Sequence, residues 1–228
     1  MRCRVLAAPD RFEARAIRPV STDSGDCRAG RGRVIRVRAP GCGVEDRGVH
    51  IEFARREGGG SLATIDRPDG VRLLLTSYDR ANSVPHDLAH FVTERDLGLR
   101  RGLWGSIADG ALFDSVQFIA GKRRHDDAAR SRAVRRANAD ELALVEVLVG
   151  AMCRGLPMAD AAAAREIGRA WSSVRDSPCP FPPDRRTAAV NELRRLGLLF
   201  GQLDASATLA LDWPTAPAAR TGGRRRRR

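Results

Sequence analysis

Residues 49–76 constrain the fold more than any other stretch. Val49 to Arg55 alternates, with Ile51 and Phe53 set against His50 and Glu52, the period-two pattern of a half-buried strand. Gly58-Gly59-Gly60 follows as a turn, and Leu62 to Ile65 forms a second strand-like run. Arg67-Pro68-Asp69-Gly70 is a turn with proline and glycine at the positions that favour them. Val71 to Thr76 then completes an antiparallel meander of three strands. Such a sheet has one apolar face that water cannot be left to cover, so the helices that follow must supply a lid. The glycine triplet lacks the lysine and the following helix of a phosphate-binding loop, and reads as a hairpin turn.

Several helical segments are available. His86 to Leu97 opens behind Pro85, and Gly98 suits its C-terminal stop. Leu103 to Phe113 is a weaker helix. Asn138 to Cys153 carries Leu142, Val145, Leu148, Val149 and Met152 on one stripe, with Asn138 and Glu141 in a capping-box arrangement and Glu146 beside the stripe. Pro157 to Val174 and Asp184 to Leu196 are further helices, the last stopped by Gly197. Residues 206–211 suit a final strand at the sheet edge. The expectation is an α+β domain over 49–214, a small antiparallel meander sheet of three N-terminal strands and a C-terminal edge strand, covered by about five helices. Residues 1–48 read as a disordered basic extension, within which 33–38 suit a short strand, and 215–228 as a disordered Arg-rich tail.

Chemistry concentrates in Pro85-His86-Asp87-Leu88-Ala89-His90-Phe91-Val92-Thr93-Glu94. On a helix, residues i and i+4 lie one turn apart on one face, so His86 and His90 can share one metal ion. Two of the four histidines in the chain fall in this spacing. Asp87 occupies the place of a general base beside such a site. If the next helix folds back antiparallel about a pivot near Leu99, Asp109 comes level with His90 and supplies a third ligand. Glu94 competes for that place, but about 12 Å of helix rise separates it from His86. It therefore reads as the carboxylate that binds the second ring nitrogen of His90. His125-Asp126 is a weaker further contributor.

The spacing His86-Asp87-x-x-His90 followed by Asp109 resembles the gluzincin metallopeptidase pattern, with aspartate at both glutamate positions. The resemblance implies zinc held by His86, His90 and Asp109, with Asp87 as base. The longer run from His86 through Phe91 and Glu94 to Leu97-Gly98-Leu99 resembles a group of uncharacterised bacterial proteins. In these a β-hairpin precedes a His-Asp-Leu-x-His-aromatic-x-x-Glu helix. A fainter likeness, to the ubiquinone-biosynthesis proteins with a His-Asp-x-x-His metal motif, fails at Gly102, where that family has a glutamate ligand.

The formal charge of +12 is unevenly spread, with eleven arginines against six acids in 1–48 and six arginines without an acid in 220–228. The middle, 49–219, holds 23 basic and 22 acidic residues. The ends therefore predict weak, sequence-independent contact with polyanions. Lys122 is the only lysine beside 39 arginines, a bias that a GC-rich genome imposes whatever the function. The five cysteines form no Cys-x-x-Cys pair, which disfavours a disulfide framework or a sulfur-rich zinc knuckle. No stretch has the length or apolarity of a membrane span, and a cytoplasmic protein is the expectation. Two function classes follow. One is a metal-dependent enzyme, a zinc hydrolase acting on a small molecule or peptide. The other is a binding or structural protein that uses the same residues in a closed metal site or hydrogen-bonded core. A winged-helix nucleic-acid module is a variant of the second class: 184–211 give helix, Leu-Gly-Leu and strand, with Arg185, Arg186, Arg194 and Arg195 facing phosphates.

Overall fold

The computed structural model describes residues 33–37, 48–78 and 84–214. Most of the expected N-terminal extension and all of the expected C-terminal tail, 215–228, lie outside them. The described chain is α+β, a six-stranded mixed sheet with six helices. Strands β2 (Val49–Arg55), β3 (Ser61–Asp66) and β4 (Arg72–Ser77) form the expected meander. Its turns use the predicted glycines, since Gly58, Gly59, Gly60 and Gly70 all have positive φ.

The sheet is wider than the meander. Its strand order is β1-β6-β2-β3-β4-β5, with β1 at Val34–Arg36, β5 at Val116–Ala120 and β6 at Thr208–Trp213. The C-terminal strand is therefore not an edge strand. β6 lies antiparallel to β2 on one side and parallel to β1 on the other. The short strand suited to 33–38 exists, and it joins the sheet ahead of residue 49. β5 is the opposite edge, paired only with β4 across a register shift at Arg72/Leu73.

Inward-facing residues of β2, β3, β4 and β6 form the core with the helices, among them Ile51, Phe53, Ala63, Ile65, Leu73, Leu75, Leu209 and Leu211. Helix α1 (His86–Leu97) runs through this core, and nine of its residues are buried. Phe91 meets Phe53, Trp104 and Trp213 edge-on at centroid distances of 5.8–6.1 Å, contacts worth ~0.5–1.5 kcal/mol each beyond area burial. Gly98 ends α1 in the left-handed conformation at φ 75°, and Leu99 N–H returns to the Glu94 carbonyl at 2.8 Å. Helices α2 (Leu103–Ala108), α3 (Asp127–Ala137), α4 (Ala139–Gly155), α5 (Asp160–Ser172) and α6 (Pro183–Gly201) complete the layer.

Three local expectations change. Asn138 precedes α4 as expected, but its side chain does not cap the helix; it is buried and donates to Ser106 Oγ at 3.0 Å. Glu141 accepts from Arg101 N–H instead of closing a capping box. Gly197 does not stop α6, which continues to Gly201. Its missing side chain serves packing, because a Cβ there would lie 2.4 Å from a methyl of buried Val84. Gly197→Ala is expected to cost ~1–3 kcal/mol by overpacking, more than the ~1 kcal/mol that alanine returns in helix propensity. A denaturant midpoint raised by the substitution would show that Val84 yields freely. No helix among the described residues is long and apolar enough to cross a membrane.

Candidate metal centre

A core helix gains nothing from polar side chains unless each finds a partner. α1 nevertheless buries Asp87, His90, Thr93 and Glu94. The reason for Glu94 is local. One carboxylate oxygen accepts from His90 Nδ1 at 3.1 Å and from Leu103 N–H at 2.9 Å, and the other accepts from Trp104 N–H at 3.0 Å. Glu94 thus caps α2 from outside and turns His90, with one group doing both. Gly102 permits this, since a Cβ there would sit 2.3 Å from the Glu94 carboxyl carbon. The expected bond from Glu94 to the second ring nitrogen of His90 is present.

With Nδ1 held by Glu94, His90 presents Nε2 outward. That nitrogen lies 3.3 Å from Glu146 Oε1 on α4, and His86 Nε2 lies 3.7 Å from Glu146 Oε2. The two imidazoles stand edge to face, 4.7 Å between centroids. His86, His90 and Glu146 offer ligand atoms all within 4.8 Å of one another, and this group can hold a metal ion. Ligand atoms ~2.0–2.2 Å from a tetrahedral ion stand about 3.3–3.6 Å apart, so the group, within 4.8 Å with one atom from each residue, closes on one ion by a contraction of its widest edge. His90 is 2% exposed, whereas the side chains of His86 and Glu146 are 41% and 61% exposed. His90 is therefore fixed in the core, while His86 and Glu146 face a cleft of about 370 Å³, which Asp87, Tyr78, Leu103 and Phe113 also line.

The residue that joins the two histidines is Glu146 and not Asp109. α2 is only six residues long and Asp109 is its exposed C-cap, its carbonyl accepting from Arg130 at 3.1 Å. The expected helical hairpin would have needed a helix long enough to carry Asp109 back along α1. α4 takes that flank instead. His125 is exposed in the turn before α3 and stands outside the group. Glu146 had one sequence signal: it is the only charged residue between Leu142 and Cys153, in an otherwise apolar run.

Asp87 is buried at the first turn of α1. Its Oδ1 accepts from Ser61 Oγ at 2.7 Å and from Leu88 N–H at 3.1 Å, while Oδ2 has no hydrogen-bond partner. Burial pushes its carboxyl up from the ordinary aspartate range, against the hydrogen bond from Ser61. Burial likewise pushes Glu94 up, against the pull of His90 and the two α2 N–H groups. For His90, burial favours the neutral ring, but hydrogen bonds and charge from Glu146 and Glu94 outweigh it and raise the pKa from 6.5 to about 9. The same hydrogen bond to His90 lowers Glu146.

The arginines of a winged-helix reading are committed within the chain. Arg185 binds the Asp96 carbonyl, Arg186 the Ala164 carbonyl, and Arg195 the Glu192 carboxylate. Arg194 reaches the carbonyls of Gly155 and Leu156 and the Asp160 carboxylate. The strand that would be the wing, β6, lies inside the sheet. No protein-family model, curated protein or solved structure matches the chain.

Proposed function

We propose that the protein is a zinc-dependent hydrolase, with His86, His90 and Glu146 as ligands and Asp87 as the base. The observation that carries this is the orientation of His90. Its Nδ1 is tied to a buried carboxylate, so that Nε2 faces a second histidine and a second carboxylate across a cleft. Two imidazoles and one carboxylate form a donor set that suits zinc and leave a fourth position for water. The ion would lower the pKa of that water toward about 7. Asp87 lines the same cleft, its Oδ2 has no hydrogen-bond partner, and burial raises its pKa above that of an ordinary aspartate.

A second reading has its own support. Both ring nitrogens of His90 already meet carboxylates, so Glu94, His90 and Glu146 also make a self-contained charged network without an ion. Elemental analysis of the zinc-dialysed full chain separates the two. The hydrolase reading expects about one equivalent of zinc, lost in His90→Ala and Glu146→Gln and kept in Asp109→Asn and Asp87→Asn. Wild type should also cleave an activated ester in a zinc-dependent way, and Asp87→Asn should not. Wild-type protein without zinc would leave the self-contained network as the function of these residues. Zinc without ester cleavage would support a non-catalytic metal site.

A further inference from the structure

Lys122, Arg123, Arg124, Arg130, Arg132, Arg135 and Arg136 follow the free edge strand β5 and run through α3. All seven are exposed, and none forms an ion pair with a carboxylate among the described residues. Elsewhere several arginines do pair with carboxylates, as in Arg72–Asp66, Arg154–Glu166, Arg194–Asp160 and Arg195–Glu192. Residues 121–137 hold seven cations against two acids, while the rest of 49–219 holds sixteen basic and twenty acidic residues. A genome-wide arginine bias does not account for that local excess. Arg132, Arg135 and Arg136 also stand at i, i+3 and i+4, a like-charge spacing that destabilises a free helix and that an opposing anion relieves. Ser131 fixes α3 in place, exchanging hydrogen bonds with both backbone groups of Leu112.

Aromatic rings are interleaved with these cations. The Arg123 guanidinium lies over Phe118 at 4.6 Å and that of Arg135 over Phe113 at 5.4 Å. Phe113 and the 67% exposed Tyr78 both line the cleft of His86 and His90, and Arg56 lies over Tyr78 at 4.2 Å. Cations that track phosphates beside half-open rings are what an unpaired strand needs, because bases held in a duplex cannot reach the rings. We propose that β5, α3 and the rim at Phe113 form a binding surface for single-stranded nucleic acid. This surface does not depend on a metal at the neighbouring site.

The test is fluorescence anisotropy with a labelled single strand of about 12 nucleotides, in EDTA. It uses the full chain with Arg224 to Arg228 each changed to Gln, so that the tail does not mask the surface. Adding Arg123→Gln, Arg132→Gln, Arg135→Gln and Arg136→Gln is expected to weaken binding about tenfold or more at low salt, and to reduce the salt slope by about three. The melting temperature should change little, since all four side chains are exposed and relief of the Arg132, Arg135 and Arg136 repulsion offsets the two lost ring contacts. Affinity within about twofold of the parent and an unchanged slope would overturn the surface. A duplex or an inorganic polyphosphate competing as well as the single strand would overturn the assignment of its partner.

Discussion

Glu94→Ala is expected to destabilise the protein by about 3–5 kcal/mol, the usual cost of removing one partner from a buried charged pair. Three donors lose their acceptor at once: His90 Nδ1 and the N–H groups of Leu103 and Trp104. Trp104 is 1% exposed and His90 2%, so water cannot replace the carboxylate without opening the core. α2 should fray, because its first N–H groups have no other cap. Glu94→Gln separates folding from the metal site. The amide keeps the shape and one acceptor, so the fold should survive with a smaller loss. The ring of His90 is then held less firmly and by a neutral group, and zinc affinity should fall ~10–100-fold. Denaturant unfolding and a chelator competition measure the two effects. An alanine variant as stable as wild type would mean that the network contributes nothing net. A glutamine variant with unchanged zinc affinity would remove Glu94 from the metal site and leave it a structural cap.

The parts of this site that were legible are the local ones. His86, His90 and Glu94 are related by helix spacing alone, and four residues of separation fix their geometry once the helix exists. The meander was legible for the same reason, since glycine and proline at 58–60 and 68–70 leave few turns open. Glu146 was not legible, although its lone charge in an apolar helix set it apart. Placing it beside His90 requires knowing that α4 packs on the flank of α1, and no spacing encodes that. The expectation of Asp109 needs an α2 long enough to fold back, but Ile107 and Gly110 close the helix early, with Gly110 N–H bonded to the Ile107 carbonyl. The interior place of β6 fails on the same ground, because the pairing of Leu211 with Ile51 spans most of the domain. β5 offers only Val116 and Phe118 as alternating apolar residues, too short a run to outweigh the charged segment behind it.

Zinc affinity is expected to rise with pH while the stability of the metal-free protein falls. His90 titrates near 6.5 in an unfolded chain and at about 9 in the fold, because Glu146 and Glu94 hold the imidazolium against the effect of burial. Between those values the folded state carries a proton that the unfolded state has lost. The stabilisation is complete below pH ~6.5 and disappears as pH climbs through about 9, and on the order of 3 kcal/mol is at stake. A metal needs the same Nε2 and must displace that proton. Well below 9 each pH unit then costs about tenfold in apparent affinity, so binding at pH 7 should be about 50-fold weaker than at pH 9 from His90 alone. Buried Glu94 and Asp87 are raised too, and their contribution also declines with rising pH, so the difference between wild type and His90→Gln reports the histidine together with its coupling to these two carboxyls. Thermal melts in EDTA and zinc competition titrations across pH 6.5–9 measure both curves. A flat zinc affinity over that range would mean that His90 gives up no proton to the ion, and would remove it from the ligand set.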